Sequence, residues 1–147
     1  MNLTVYKDET KNEIRFSKIS KIEAEVPFAG LGVKYVASGR EVYYANEKKY
    51  TVKEGEYIIG NDFTHSVVHI DNSVPVQGLC IDISPQIISE VAQYHDVNGS
   101  DLKEFLLSDQ FFVNRYNVKN TSLGYTLNDI NSKIKTGIFR NDLQQNE

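Results

Sequence analysis

The chain has one cysteine, no long apolar run and no excess of basic charge, and each shortage removes a class of function. Cys80 alone cannot form an internal disulfide or a CxxC pair, and inside the apolar stretch GLCIDIS it reads as a buried, inert thiol. Apolar runs extend only a few residues, and the opening MNLTVYKDETKNEIRF lacks the apolar centre of a signal peptide. The expectation is a cytoplasmic protein with no membrane partner. A formal net charge of -4 leaves no basic stripe with which to displace the counterions of a nucleic acid, so DNA or RNA is not a direct partner. Also missing are a Ser/His/Asp or Cys/His set, a phosphate-cradling glycine loop, a close carboxylate pair, internal repeats and low-complexity segments.

What is present is ordinary for one globular domain of 147 residues, with 40% hydrophobic and 24% charged residues. Between Glu13 and Ser84 the chain is rich in Val, Ile and Tyr. Turn-forming pieces interrupt it at short intervals: PFAGLG, SGRE, ANEKK, KEGE, GNDFT and DNSVP. That cadence predicts an all-β sandwich or small barrel of about seven or eight strands. The strands are EIRFSKISKIEAEV, long enough for two strands or one bulged one, then GVKYVAS, EVYYAN, KYTVK, GEYIIG, SVVHID and VPVQGLCIDIS. The lysines of NEKKY sit at a hairpin tip.

After Ser84 the pattern becomes helical. SPQIISEVAQYHDVNG starts with a Ser cap and a first-turn Pro and stops at Asn-Gly, with Ile87, Ile88, Val91, Ala92 and His95 on one face. A shorter helix is expected at SDLKEFLL, where Asp101 and Glu104 have capping-box spacing. In TSLGYTLNDINSKIKTG, Leu123, Leu127, Ile130 and Ile134 form a narrow apolar stripe. Such a stripe either pairs with the same helix of a second copy or lies on the domain's own sheet. The first option makes these residues a dimer contact. The final IFRNDLQQNE holds no further element, as expected of a tail or of a piece of a longer chain.

Alternation along a strand assigns faces if charged residues mark the side toward water. Lys34 outside places Val33, Tyr35 and Ala37 inside, and Glu41 outside turns Val42 and Tyr44 inward. Lys49 and Lys53 turn Tyr50 and Val52 inward, and Glu56 does the same for Tyr57 and Ile59. Tyr35, Tyr44, Tyr50 and Tyr57 would then line one inner face. Either they contact a small molecule through rings and hydroxyls, or they are core-edge residues whose hydroxyls reach water.

His65 and His69, in HSVVH, would share a metal ion on a helix. The β-branched surroundings place them instead on a strand, where positions four apart are separated by roughly 13 Å. Asp71 shares their outward parity, leaving Val68 and Ile70 for the core. No metal and no cofactor is expected.

The run from Gly32 to Gln93 resembles the N-terminal, effector-binding domain of AraC-type transcriptional regulators. The resemblance rests on the SGR turn after a Tyr-containing strand, the KKYTVKEGEYII hairpin, the DFT turn, the VP turn, and the final apolar strand leading into SPQII. The later FFVNRYNVKNTSLGYTLNDINSKI looks like that family's second helical segment.

The resemblance implies a mainly β fold, a cupin-like jelly-roll barrel over residues 1–84. A helical segment of two or three helices over 85–147 would pack on it within the same domain. It further implies a non-enzymatic role: sensing a small effector in the barrel, forming a homodimer, and reaching DNA only through a C-terminal helix-turn-helix domain not in this chain. The rival readings are a small cupin enzyme, an isomerase or oxygenase with or without a metal, and a purely structural dimerisation module whose barrel is filled by side chains. Catalytic cupins hold a metal through a His-x-His pair, a glutamate and a third histidine. SGREVYYANEKKY has no histidine, and GEYIIGNDFTHSVV offers only His65, which remains a candidate for contact with the effector.

Overall fold

The computed structural model describes residues 2–7, 12–28, 30–95, 104–109, 114–117, 119 and 121–135. In chain order the strands are β1 (Asn2–Lys7), β2 (Glu13–Glu25), β3 (Leu31–Ser38), β4 (Arg40–Ala45), β5 (Lys48–Lys53), β6 (Glu56–Asn61), β7 (Ser66–Ile83) and β8 (Asn114–Asn117). Helix α1 (Pro85–His95) lies between β7 and β8, and α2 (Ser122–Lys135) follows β8. All pairings are antiparallel, and the strand order is β1-β2-β7-β3-β6-β8, with β4 joined to β7 and β5 to β4. The fold is thus mainly β, a nearly closed antiparallel barrel followed by short helices.

Two long strands give the barrel its shape. β7 pairs with β2 along both of its halves, but its other edge meets β4 through Ser66–His69 and β3 through Gln77–Ile83. The change of partner coincides with a register shift at Ile19/Lys21 of β2, opposite which Asn72, Ser73, Val74 and Pro75 of β7 are unmatched. The first long stretch is therefore one strand and not two, and the extra residues at the shift belong to β7, four of them facing Ser20 of β2. The VP turn that was expected to divide two strands is instead a bulge within one bent strand, at which Pro75 leaves no amide unpaired.

The other turns follow their residues. Asn46 and Glu47 connect β4 to β5 with φ of 49° and 67°, the two positive values of a two-residue hairpin loop. Their neighbours Lys48 and Lys49 are exposed, as expected of a hairpin tip.

Ser84 caps α1: its hydroxyl accepts the Ile87 amide at 3.4 Å, and its carbonyl accepts that of Ile88 at 3.1 Å. Ile88 is buried, but Val91, expected on the same apolar face, is 53% exposed. Thr121 caps α2 through the Gly124 amide at 3.0 Å. Residues 104–106 make one helical turn; Asp101 of the expected capping box and the tail beyond Lys135 lie outside the described residues.

Part of the expected second helical segment is β-structure. Asn114–Asn117 pairs with Glu56–Ile59 of β6, so the region after residue 84 contributes a strand to the sheet as well as helices. β1 likewise extends the sheet beyond the strands expected from the sequence.

Two apolar layers hold the structure. The barrel interior contains Phe28, Val36, Tyr43, Ala45, Val52, Ile58, Val68, Ile70 and Val76. Outside the same sheet, Val33, Tyr35, Tyr57, Leu79 and Leu127 form a second cluster, with Leu123 and Ile130 packed against it. The apolar stripe of α2, considered above as a contact between copies, is therefore covered by the chain's own sheet. Leu127 is wholly buried there, and the Ile134 side chain lies outside the described residues.

Candidate functional site in the barrel

β3 is apolar on both sides because one face meets the interior and the other lies beneath α2, so charge no longer marks the side toward water. Lys34, expected outside, is 1% exposed and points into the barrel with Val36. Glu41, also expected outside, is buried in the interior and brings Tyr43 with it. The parity of β4 is thus the reverse of the expectation, and Tyr44 stands 49% exposed.

The four expected tyrosines consequently do not share a face. Tyr35 and Tyr57 lie outside the barrel under α2, where the Tyr35 hydroxyl donates to Asn128 Oδ1 at 3.3 Å and Tyr57 shares a 2.6 Å hydrogen bond with Thr121. Tyr57 also stacks on Tyr116, with centroids 5.3 Å apart. Only Tyr50 of the four packs, half-buried, against the interior cluster.

The interior instead holds a charged group of side chains. Lys34 and Arg15 flank Cys80 in cross-strand register, Lys34 on β3 and Arg15 on β2. Asp82 lies two residues further along β7 and accepts Arg15 Nη2 at 2.9 Å. Tyr43 donates to Glu41 at 2.5 Å. Gly78 makes room for this arrangement, since a Cβ there would stand 2.9 Å from Glu41 Oε1 and 3.0 Å from Ser17 Oγ. Lys34 Nζ lies 4.8 Å from the centre of the Phe28 ring. It has no hydrogen-bond partner among the described residues, and neither does Asp82 Oδ1.

Burial dominates the electrostatics. It pushes the Glu41 carboxyl up, against the opposing effects of the Tyr43 hydrogen bond and the Lys34 charge. Asp82 is raised for the same reason, with Arg15 and then Lys34 holding it back. The Tyr43 hydroxyl is pushed well up by burial and by Glu41. Burial also raises the Cys80 thiol, which agrees with the inert reading of that residue.

A cleft of about 510 Å³ is walled by Glu25, Val26, Pro27, Phe28, Asp62, Thr64, His65, Ser66 and Val67, with none of the charged group among its walls. Phe28 is therefore shared: its ring meets Lys34 on the barrel side and lines the cleft. The glycines of β3 and β6 seat that ring, since a Cβ on Gly60 would come within 2.6 Å of it and one on Gly32 within 3.1 Å. The opposite wall is the β6–β7 turn, pinned by Asn61, whose Oδ1 accepts the Phe63 amide and whose Nδ2 donates to Leu106 and Ser108 carbonyls at 2.8 and 3.0 Å.

His65 is exposed on that turn, and His69 points outward from β7 with Asp71 while Val68 and Ile70 face the core. Among the described residues no three His, Cys, Asp or Glu side chains converge as a metal site. A second cleft of about 540 Å³ lies outside the barrel between Tyr35, Glu54, Lys119 and Asn128.

Neither a protein-family model nor a curated protein sequence matches the chain. Solved structures do match. An apo, singly substituted form of ToxT from Vibrio cholerae superposes over 87% of this chain with a TM-score of 0.61 and 7% identity. The fold is that of the cupins. The cupin domain of Cnp3 from Schizosaccharomyces pombe aligns over 65% of this chain and 72% of its own, with a TM-score of 0.51 and 10% identity. A cupin protein from Bacteroides fragilis aligns over 50% of this chain and 65% of its own, at a TM-score of 0.44 and 12% identity. The ToxT match spans 49% of that protein, so this chain corresponds to about half of it.

The sequence reading missed Arg15, Lys34, Glu41, Tyr43 and Asp82. A signal was present for Lys34: in LGVKYV it is a lone charge with apolar neighbours of both parities, the pattern of a strand covered on both faces.

Proposed function

We propose that this chain is the ligand-sensing and dimerisation part of an AraC-type transcriptional regulator, and that it takes a small effector into the barrel. The observation that carries the reading is the charged group buried in the barrel interior. A barrel serving only as a structural filler gains nothing from a buried ammonium without an acceptor, which costs several kcal/mol. The likeness to ToxT, an AraC-family regulator, supports the assignment because it takes in the helices as well as the barrel.

The proposed role is binding, not catalysis. The buried thiol is displaced away from the thiolate that a nucleophile needs, and the carboxyls are held in pairs. In this reading the protein works in the cytoplasm as a homodimer. It contacts DNA through a helix-turn-helix domain belonging to the whole regulator, and an effector acts by favouring one arrangement of the helices over another. The copies meet on a face other than the Leu123/Leu127/Ile130 stripe, which is already covered.

The test is a thermal-shift screen of sugars, aromatic acids and peptides, with light scattering on the same samples. A compound that raises Tm in proportion to the logarithm of its concentration supports the reading. A dimeric protein stabilised by no compound supports the rival reading, a structural dimerisation module.

A further inference from the structure

Resting on the reading of the chain as a homodimer, we propose that two copies meet through the outer face of β2, β7, β4 and β5, with the strand order of one copy reversed against that of the other.

α2 already covers the outer face of β3, β6 and the far half of β7, through Val33, Tyr35, Tyr57 and Leu79. On the other side of the bulge the outward side chains are open to water. Glu23 and Glu25 on β2, His69 on β7, Tyr44 on β4 and Lys49 on β5 are all exposed. Val68, Ile70, Tyr43 and Val52 on three of the same strands point into the barrel, so this face is not needed to fill the core.

Sheet register sets the exposed residues in rows. Glu25, Val67, Tyr44 and Lys49 stand side by side across the four strands, and Glu23, His69, Val42 and Thr51 form the next row. At about 4.8 Å between neighbouring strands, the acidic edge on β2 and the basic edge on β5 are roughly 14 Å apart, with Val67 and the Tyr44 ring between them.

A face of this kind is complementary to itself. A two-fold axis parallel to the strands sets β2 opposite β5 of the second copy and β7 opposite β4, and keeps each row against its own counterpart. Glu25 then meets Lys49 of the second copy, Val67 meets Tyr44, and Glu23 meets the Thr51 hydroxyl, each contact occurring twice. No like charges oppose one another in these two rows. Tyr44 lies near the centre, where an aromatic side chain contributes most to association. A partner of a single charge sign would match only one edge of the face, whereas a second copy matches both.

The extent of the face is limited. The next outward residues on its two edges are Lys21 and Lys53, which repel in this arrangement and confine the contact to the two rows. A contact of this size is smaller than a standard interface, so dissociation in the micromolar range is expected.

The experiment is sedimentation equilibrium of the chain from about 1 to 500 μM, a span that brackets micromolar dissociation. Glu25→Lys and Lys49→Glu change exposed side chains, so each variant should keep its Tm within about 2 °C of the parent's. Each should weaken self-association at least tenfold, because it sets like charges against each other at both ends of the contact. Mixed in equal amounts, the two variants should form a dimer with about the parent's affinity, since every lysine at these positions then faces a glutamate. Tyr44→Ala should weaken self-association about tenfold by emptying the centre of the face.

Recovery on mixing supports the reversed arrangement. Reversals that weaken the dimer with no recovery on mixing overturn the pairing of Glu25 with Lys49. A dimer indifferent to both reversals and to Tyr44→Ala overturns this face and leaves the homodimer reading standing. A chain monomeric over the whole range overturns both.

Discussion

Leu127→Ala separates the two uses open to the α2 stripe. The side chain is wholly buried among Val33, Tyr35, Tyr57 and Leu79. Removing it from a site of this kind costs about 2–5 kcal/mol, depending on how far the neighbours close the cavity. Closure is hindered here, because Tyr57 is held by Thr121 and by its stack with Tyr116, and Tyr35 by Asn128. The upper half of the range is therefore expected, about 3–5 kcal/mol. In urea, with a slope of about 2 kcal/mol per molar, the midpoint should fall by roughly 1.5–2.5 M. Self-association, measured by light scattering under native conditions, should be unchanged. A stability loss below about 1 kcal/mol accompanied by dissociation into monomers would refute the packing argument.

Three further substitutions test the site. Gly60→Ala drives a methyl group into the Phe28 ring and Thr64, and should destabilise by about 1–3 kcal/mol in the same urea assay. Asn61→Ala removes the bonds to the Leu106 and Ser108 carbonyls, so amide exchange across 104–109 should accelerate at least tenfold while the β7 core stays protected. Glu41→Gln tests the buried carboxyl through pH. Burial raises the folded pKa above the ordinary 4.5, so above that value the folded chain retains a proton that the unfolded chain has released. Stability must then fall as pH rises from about 4.5 through the folded pKa. The glutamine variant should lose this part of the slope and be no less stable at neutral pH. An unchanged profile would show Glu41 to be solvated.

Strand positions were legible in the sequence where turn chemistry punctuates it. The Asn46–Glu47 hairpin and the Ser84 cap of α1 both stand where their residues imply. Faces were legible only where water touches one side. On β7, His69 and Asp71 point outward and Val68 and Ile70 inward, as alternation predicts. On β3 and β4 the same rule inverted the site, because Lys34 and Glu41 are charges inside the barrel and no local pattern announces them as a group. The group's other charges, Arg15 and Asp82, lie on β2 and on the far half of β7, brought beside Lys34 only by sheet pairing. The short β8 was illegible for a related reason, since four residues of NRYN carry too little periodicity to overrule helical neighbours.

The bulge at Asn72–Pro75 makes the barrel editable in two independent registers. In an unbroken strand of 18 residues, one inserted residue would turn every later side chain to the wrong face, moving Asp82 out of the interior and Leu79 off α2. Because pairing with β2 is already interrupted there, a length change at this point is absorbed as a larger or smaller bulge. The half of β7 that shapes the cleft and the half that supports the helices can thus drift in sequence length separately. A change at any other position in β7 would carry both with it.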